Sequence, residues 1–245
     1  MSVKLSTPVN NVLYNRIFIQ KGKIMITPRL EMILRHVHGK SAADIGTDHA
    51  YIPIELAERG MHVIATDIHN GPLKAAAANV KKYGKDIELR LGGGLEPLKK
   101  GETENIIIAG MGGEMIINIL SRDMDKARSS VLILQPMNYP ERLRRFLFEN
   151  SFIVTEEDLA SEGNKLYSLM SVKNGITSKY NEIDLYLPPL LYSHPLFEKL
   201  LVKKKNEFTK IYNGLKVSAA NDKDKITYIQ NLLYETEEKE RNVIR

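Results

Sequence analysis

Short runs of consecutive apolar residues alternate with helical or glycine-terminated segments up to about residue 175. Such runs are typical of strands that are buried on both faces of a parallel sheet. They predict strands at 42–45, 62–66, 87–91, 105–109 and 131–134. Apolar residues at helical spacing predict helices at 30–37, 52–58, 73–83 and 141–149. The alternation therefore predicts an α/β fold with a mostly parallel sheet.

The last part of the chain follows two other patterns. Segments 152–156 and 167–172 are expected to form an antiparallel hairpin after the parallel strands. Further on, apolar residues occupy heptad positions that Lys204 interrupts, at Phe197, Leu201, Phe208, Ile211 and Leu215. A second run places apolar residues on one helix face at Ile226, Ile229 and Leu233. We therefore expect an α/β domain at 26–178 and an α-helical coiled-coil hairpin at 179–245.

Charge and composition exclude several classes of protein. The formal net charge is +5, but residues 1–40 hold seven Lys or Arg against Glu31 alone, which leaves 28 basic and 29 acidic residues elsewhere. The α/β domain is thus not a strongly basic particle. The chain has no cysteine, which excludes disulfides, thiolate metal sites and a cysteine nucleophile. No apolar run is long enough to span a membrane. We expect a cytoplasmic protein without a metal.

Residues 1–25 contain no acidic residue and no clear periodicity. We interpret them as a disordered extension, or as the result of a start codon assigned too early, with Met25 as the true initiator. A targeting leader is the alternative, but one arginine, Arg16, and little amphipathic pattern argue against it.

The first predicted strand ends at Asp44 and Gly46, at the start of the segment 44–53. A second acid, Asp67, follows the next predicted strand. This spacing is typical of a strand–helix–strand unit whose first turn binds a ligand and whose second acid holds a ribose. A single glycine, Gly46, disfavours a nicotinamide cofactor and suits S-adenosylmethionine, which has no phosphate. The alternative interpretation is that the two acids only cap strand ends. The candidate cofactor residues are Asp44, Gly46, Asp67, Ile68, Gly93, Gly94, Leu95, Ala109, Gly110 and Met111.

Several motifs together resemble those of the tRNA (adenine-22-N1)-methyltransferase family, TrmK. The most selective are Asp-His-Ala-Tyr at 48–51 and Ala-Gly-Met-Gly-Gly at 109–113, and others lie at 28–31, 90–96, 132–136 and 162–167. The resemblance implies a Rossmann-like class I methyltransferase domain, a C-terminal coiled coil, and methyl transfer from S-adenosylmethionine to N1 of adenine 22 in the tRNA D-arm. Two positions depart from it: Gly93 replaces an acid of Gly-Asp-Gly-Leu, and Met137 replaces an Asn, with Asn138 following.

The resemblance also indicates residues for the chemistry. Asp48 is the first candidate to stabilise charge on the methylated base, although binding of the cofactor is an equal alternative. His49 and Tyr51 could orient or stack on the base, or be a backbone-bonded helix start and a packed ring. Candidate RNA contacts are Arg29, Arg142, Arg145, Lys203 and Lys204. Methylation of another RNA base or of a small molecule, and a non-catalytic RNA-binding module, stay open as alternatives. We expect a monomer.

Overall fold

The computed structural model describes residues 24–177, 179–217 and 222–243, so most of the predicted N-terminal extension lies outside the described residues. The helices are α1 Pro28–Arg35, α2 Tyr51–Glu58, α3 Asn70–Lys82, α4 Gly113–Arg122, α5 Met124–Ala127, α6 Pro140–Glu149, α7 Phe197–Val217 and α8 Lys223–Val243. The strands are β1 Ser41–Ile45, β2 His62–Asp67, β3 Glu88–Leu91, β4 Asn105–Met111, β5 Val131–Pro136, β6 Phe152–Glu162 and β7 Lys165–Asn174. Two short 3₁₀ segments, Glu182–Leu185 and Pro189–Leu191, precede α7.

The strands form one seven-stranded sheet in the order β3-β2-β1-β4-β5-β7-β6. Strands β1 to β5 are parallel, whereas β7 is antiparallel to both β5 and β6. The predicted mostly parallel sheet and terminal hairpin are confirmed. The order reverses between β1 and β4, and open α/β sheets bind ligands beyond the carboxyl ends of the strands at such a point.

The terminal strand hairpin and one helix differ from the sequence-based expectation. Strands β6 and β7 are longer than predicted, because their ladder continues to the turn at Gly163, which has a positive φ of 57°. Helix α4 was not predicted. It begins one residue after the glycine-rich end of β4 and buries Ile116 and Leu120 against the sheet.

Helices cover both faces of the sheet. Helices α1, α2 and α3 pack on one face, where β1 contributes Ala42 and β2 contributes Val63. Helices α4 and α6 pack on the other face against the alternate residues Ala43 and Ile64. Burial on both faces explains why the strand sequences show no alternation of apolar and polar residues.

Helices α7 and α8 form the predicted hairpin and pack on a third core. Phe197, Leu201 and Phe208 are buried along α7, as the heptad spacing predicts. Lys204, which interrupts the apolar pattern, is buried with them. The prediction for Ile211 is wrong: 42% of this residue is exposed, because it turns toward an adjoining groove. In α8 the buried residues are Ile229, Leu232 and Thr236. The predicted Leu233 is only partly buried and packs against the same core. No helix among the described residues is both long and apolar enough to cross a membrane.

Candidate active site

A cavity of about 730 Å³ opens at the carboxyl ends of β1, β2, β3 and β4. Its lining includes eight of the predicted cofactor residues: Gly46, Asp67, Ile68, Gly93, Gly94, Leu95, Gly110 and Met111. Asp44 and Ala109 do not line it. The cavity thus brings together strand-end residues that are separated by as many as 65 positions in the sequence.

The turn after β1 requires a glycine. Both Gly46 N and Thr47 N donate hydrogen bonds of 2.8 Å to the carbonyl oxygen of Thr66 at the end of β2. This arrangement holds Gly46 at a φ of +76°, where a side chain is strained. A β-carbon added there would lie 2.1 Å from Cε of Met111, the flexible end of a side chain that can move, so the positive φ and not crowding is what favours glycine here.

Asp67 and its neighbours combine a carboxylate with an apolar slot. Asp67 Oδ1 accepts a hydrogen bond of 2.7 Å from His69 N, which fixes the carboxylate at the rim of the cavity. Ile68 is 64% exposed and Met115 is 56% exposed, and both line the cavity. Exposed apolar side chains around a concave site are typical of a ligand pocket. A β-carbon added at Gly93 would lie 3.2 Å from Cδ1 of Ile68, which is the flexible end of that side chain.

Asp44 lies behind this wall, on the strand that carries the turn. The residue is only 7% exposed. The pKa of Asp44 is raised to about 6, chiefly by burial; the Thr47 hydroxyl opposes this shift and the nearby Asp67 adds to it. A carboxylate kept in such a position is a candidate for meeting a cation, because an isolated buried charge is costly.

The predicted catalytic residues form a separate cluster at the start of α2. Asp48 Oδ2 lies 3.3 Å from His49 Nε2, and the His49 and Tyr51 ring centroids are 5.5 Å apart. Their backbone turns through Ala50, which has a positive φ of 55°. The Asp48 and His49 side chains are 75% and 48% exposed, and none of the three residues lines the cavity. They lie next to the cofactor turn without joining its wall.

A second cavity, which we call the basic groove, separates α6 and β7 from the C-terminal hairpin. Its volume is about 880 Å³. Its basic side chains are Arg142, Arg145, Lys203, Lys204, Lys210 and Lys225, against the acids Glu141 and Glu207. The groove therefore carries an excess of positive charge, although the protein outside residues 1–40 does not. Four of the five predicted RNA contacts line it.

These predicted contacts differ in how free they are. Lys204 is 8% exposed, and its Nζ lies 2.8 Å from Glu207 Oε2, so burial and pairing argue against a phosphate contact there. Arg145 pairs with Glu182. The Arg142 guanidinium donates to Glu114 Oε1 at 2.8 Å and lies over the Tyr139 ring, yet 60% of its side chain is exposed. Lys203 is exposed at the groove.

Residues of the two cavities are in contact where β4 and β5 end. Met137 N donates a hydrogen bond of 2.8 Å to Met111 O, which joins the groove residue to the cofactor-cavity residue. Beneath them, Gln135 Oε1 accepts from Gly110 N at 3.2 Å and from Arg29 Nη1 at 3.1 Å. Gln135 is completely buried. No local sequence pattern indicates a role for Gln135, because only the fold brings its amide to residues on β4 and α1.

Arg29 is therefore held at the junction instead of on an open surface. Its backbone N donates to Glu162 Oε1 at 2.8 Å, and its guanidinium lies 5.8 Å from the centroid of the Tyr167 ring. Tyr167 lines the basic groove, whereas Gly110 lines the cofactor cavity. The one cation of α1 that contacts Gln135 thus lies between both cavities.

Comparison with known proteins decides the family. A model of the methyltransferase domain matches residues 26–170. The tRNA (adenine(22)-N(1))-methyltransferase of Bacillus subtilis strain 168 is 35% identical over 160 residues, which cover 63% of this chain and 67% of that protein. The chain belongs to the tRNA (adenine(22)-N(1))-methyltransferase family. The resemblance inferred from the strand-end motifs is confirmed.

Solved structures of this family agree in fold. The crystal structure of B. subtilis TrmK superposes with a TM-score of 0.79 at 28% identity and covers 88% of this chain and 98% of that one. TrmK of M. capricolum, in complex with S-adenosyl-homocysteine, gives a TM-score of 0.77 at 28% identity, with 90% and 100% covered. The matched share of this chain is larger than residues 26–178 alone, so the agreement in fold extends into the C-terminal helices.

Proposed function

We propose that this protein transfers a methyl group from S-adenosylmethionine to N1 of adenine 22 in the D-arm of tRNA. One observation carries the proposal: a residue that lines the strand-end cavity, Met111, is hydrogen-bonded to a residue that lines the basic groove, Met137, at the ends of β4 and β5. A base that enters from RNA in the groove reaches the cofactor cavity at this point. The relative from B. subtilis is named for methylation of N1 of adenine 22 in tRNA.

The cavity residues suit this cofactor. Asp67 supplies acceptors for the two ribose hydroxyls, and Ile68 and Met115 supply apolar surface for the adenine ring. The glycine turn at Gly46 exposes backbone, and buried Asp44 is the candidate partner of the ammonium group. When bound, S-adenosylmethionine supplies a methyl group on a sulfonium that departs as a neutral thioether.

The protein's part in the reaction is mainly positioning. Adenine N1 already carries a lone pair, so no proton has to be removed before transfer; the base must be extracted and held in line. Methylation leaves a positive charge on the base. We propose that Asp48, with His49 beside it, offsets this charge, and that Tyr51 stays a supporting ring at the start of α2.

The basic groove and Arg29 supply the RNA contacts. The exposed side chains of Lys203 and Arg142 contact phosphates of the RNA. Such contacts attract the RNA without reading its sequence. We propose that Arg29, oriented by Gln135, binds the phosphate next to the target nucleotide. Both cavities lie within one chain, which supports a monomer as the active form, and the tRNA substrate suggests action in the cytoplasm.

The test is a methylation assay on full-length tRNA. Purified protein is incubated with labelled S-adenosylmethionine and an unmodified tRNA transcript, and the product is mapped by reverse-transcription stops. We expect label incorporation and one stop at adenine 22, and neither with a transcript in which guanine replaces that adenine. Label at another base would contradict the proposed position. Cofactor binding without transfer to any tRNA would support a non-catalytic module instead.

A further inference from the structure

Asn138 stands at the boundary between the two cavities. The residue is exposed and lines the basic groove. Its Oδ1 and Nδ2 atoms lie 3.1 and 3.7 Å from the point that a β-carbon on Gly112 would occupy, and Gly112 lines the cofactor cavity. The carboxamide is thus within reach of a base that enters from the groove and faces the methyl donor.

The orientation of this carboxamide is set by helix α4. Gly113 N, at the start of the helix, donates to Asn138 Oδ1 at 3.1 Å and to Asn138 O at 3.2 Å. In this arrangement the oxygen of the amide faces the start of α4 and the NH₂ group faces away from it. Within the part of the chain that the structure describes, Asn138 Nδ2 has no hydrogen-bond acceptor.

The backbone around Asn138 leaves it little freedom. The next residue, Tyr139, adopts the left-handed conformation with a φ of 48°, and Pro140 begins α6. On the preceding side, Met137 N is bonded to Met111 O. The backbone around Asn138 is therefore fixed on both sides, and the side-chain oxygen is bonded to the start of α4, which leaves the NH₂ group as the available donor.

We propose that Asn138 Nδ2 donates a hydrogen bond to an unmethylated ring nitrogen of the target adenine, N3 or N7, and so orients N1 toward the methyl donor. This inference rests on the proposed function. A donor suits these atoms because both carry lone pairs, whereas the exocyclic amino group is itself a donor and would be repelled. The contact selects the orientation of a purine in the site and adds to the alignment that the reaction needs.

The test combines a protein variant with altered RNA. Asn138→Asp keeps an oxygen for Gly113 N but replaces the donor by an acceptor. Splint ligation gives tRNA with adenosine, 3-deazaadenosine or 7-deazaadenosine at position 22. Wild-type protein and Asn138→Asp are assayed with each RNA for kcat/KM, and Asn118→Asp, an exposed change on α4 outside both cavities, is the matched control. Thermal melting checks that each variant is folded.

We expect Asn138→Asp and one of the two deaza substitutions each to lower kcat/KM by about tenfold, the range for losing one hydrogen bond in a closed site. The two losses should not add, since they remove the same interaction. Loss with 7-deazaadenosine identifies N7 as the acceptor, and loss with 3-deazaadenosine identifies N3. Additive losses, or full activity of wild-type protein with both deaza RNAs, would overturn the inference. Absence of methylation of ordinary tRNA by wild-type protein would instead contradict the proposed function.

Discussion

His36 Nε2 on the segment after α1 lies 2.9 Å from Asp158 Oδ2 on β6. The other carboxylate oxygen of Asp158 lies 2.9 Å from His194 Nε2, in the connection to α7. Arg35 donates to the same carboxylate at 2.6 Å. Asp158 thus joins α1, the sheet and the base of the C-terminal hairpin. These contacts tie the segment before α7 to the sheet next to the basic groove.

The link predicts a pH-dependent stability. Hydrogen bonds to Asp158 and to Glu156 raise the pKa of His36, against the opposing effect of burial. A histidine whose pKa is raised on folding contributes stability that is complete below about pH 6.5 and is lost as pH rises through the folded-state pKa. We expect His36→Gln to unfold at lower urea than wild type at about pH 6, with a smaller difference at about pH 9. Urea titrations followed by circular dichroism measure this.

The exposed neighbour His38 supplies the control for this experiment. Its imidazole makes no side-chain hydrogen bond within the described ranges, so His38→Gln should leave the urea midpoint and its pH dependence unchanged. A His36→Gln variant with the same pH dependence as wild type would contradict the assignment of the titration to the His36–Asp158 pair.

We expect buried Asp44 to lower the stability of the protein and to strengthen its binding of the cofactor. Burial raises its pKa to about 6 from an ordinary value of 3.8, so the folded state holds the proton more tightly than the unfolded chain. The free energy of unfolding therefore falls as pH rises between these values, and the loss persists above them. Asp44→Asn should stabilise the protein by about 1 to 3 kcal/mol at about pH 8 and hardly at all at about pH 4.

The same variant should bind S-adenosylmethionine more weakly, because the cationic amino group loses its carboxylate partner. Calorimetric titration measures the affinity, and urea unfolding at the two pH values measures the stability. Equal stabilisation of Asp44→Asn at both pH values would show that the charge of Asp44 does not cause the cost.

Asp48 predicts an effect on turnover alone. Its carboxylate is exposed, lies beside His49 and is outside the cofactor cavity. Asp48→Asn should therefore lower kcat by about 10²-fold, within the range for a charged catalytic group, and leave cofactor affinity intact. Single-turnover methylation and calorimetry separate the two effects. Asp86→Asn, at an exposed site after α3, is the control; parallel loss of affinity in Asp48→Asn would make Asp48 a cofactor ligand.

The basic groove predicts a local effect on tRNA binding. Lys203→Glu should weaken binding several-fold and lower the slope of log affinity against log salt by about one unit, as expected for one lost phosphate contact. Lys173→Glu makes the same change of charge at an exposed position outside the groove. Filter binding over a salt series compares them. Equal weakening by both variants would indicate only general charge attraction.

Gly93 predicts a gain of affinity on substitution. Its φ is not positive, and an added β-carbon would approach only the flexible end of Ile68, at 3.2 Å. Gly93→Asp restores the acid that the family motif places here and should tighten S-adenosylmethionine binding by about tenfold through a hydrogen bond to the adenine amino group. Gly93→Ala adds the same β-carbon without the acid. If the two variants bind alike, the carboxylate makes no such contact.

Local pattern was sufficient for most of the fold. Continuous apolar runs such as 105–109 can be stable only when helices cover both faces of a parallel sheet, so the architecture followed from them. Helix α4 escaped prediction because its start, Gly112–Gly113, is read as a turn by any local rule. In the structure, Asn138 in the loop after β5 accepts the hydrogen bond of Gly113 N, and Ile116 and Leu120 are buried against the sheet.

The sequence by itself determined the family, the sheet and the strand-end residues of the cofactor cavity, because tight turns and buried strands restrict residue type at each position regardless of distant neighbours. Only the tertiary structure decided which charges are free. Lys203 and Lys204 are adjacent, identical in chemistry and both line the groove, yet Lys203 is exposed whereas Lys204 is buried against Glu207. The helix rotates successive side chains by about 100°, and the packing of α7 against the sheet and α8 determines which of them meets solvent.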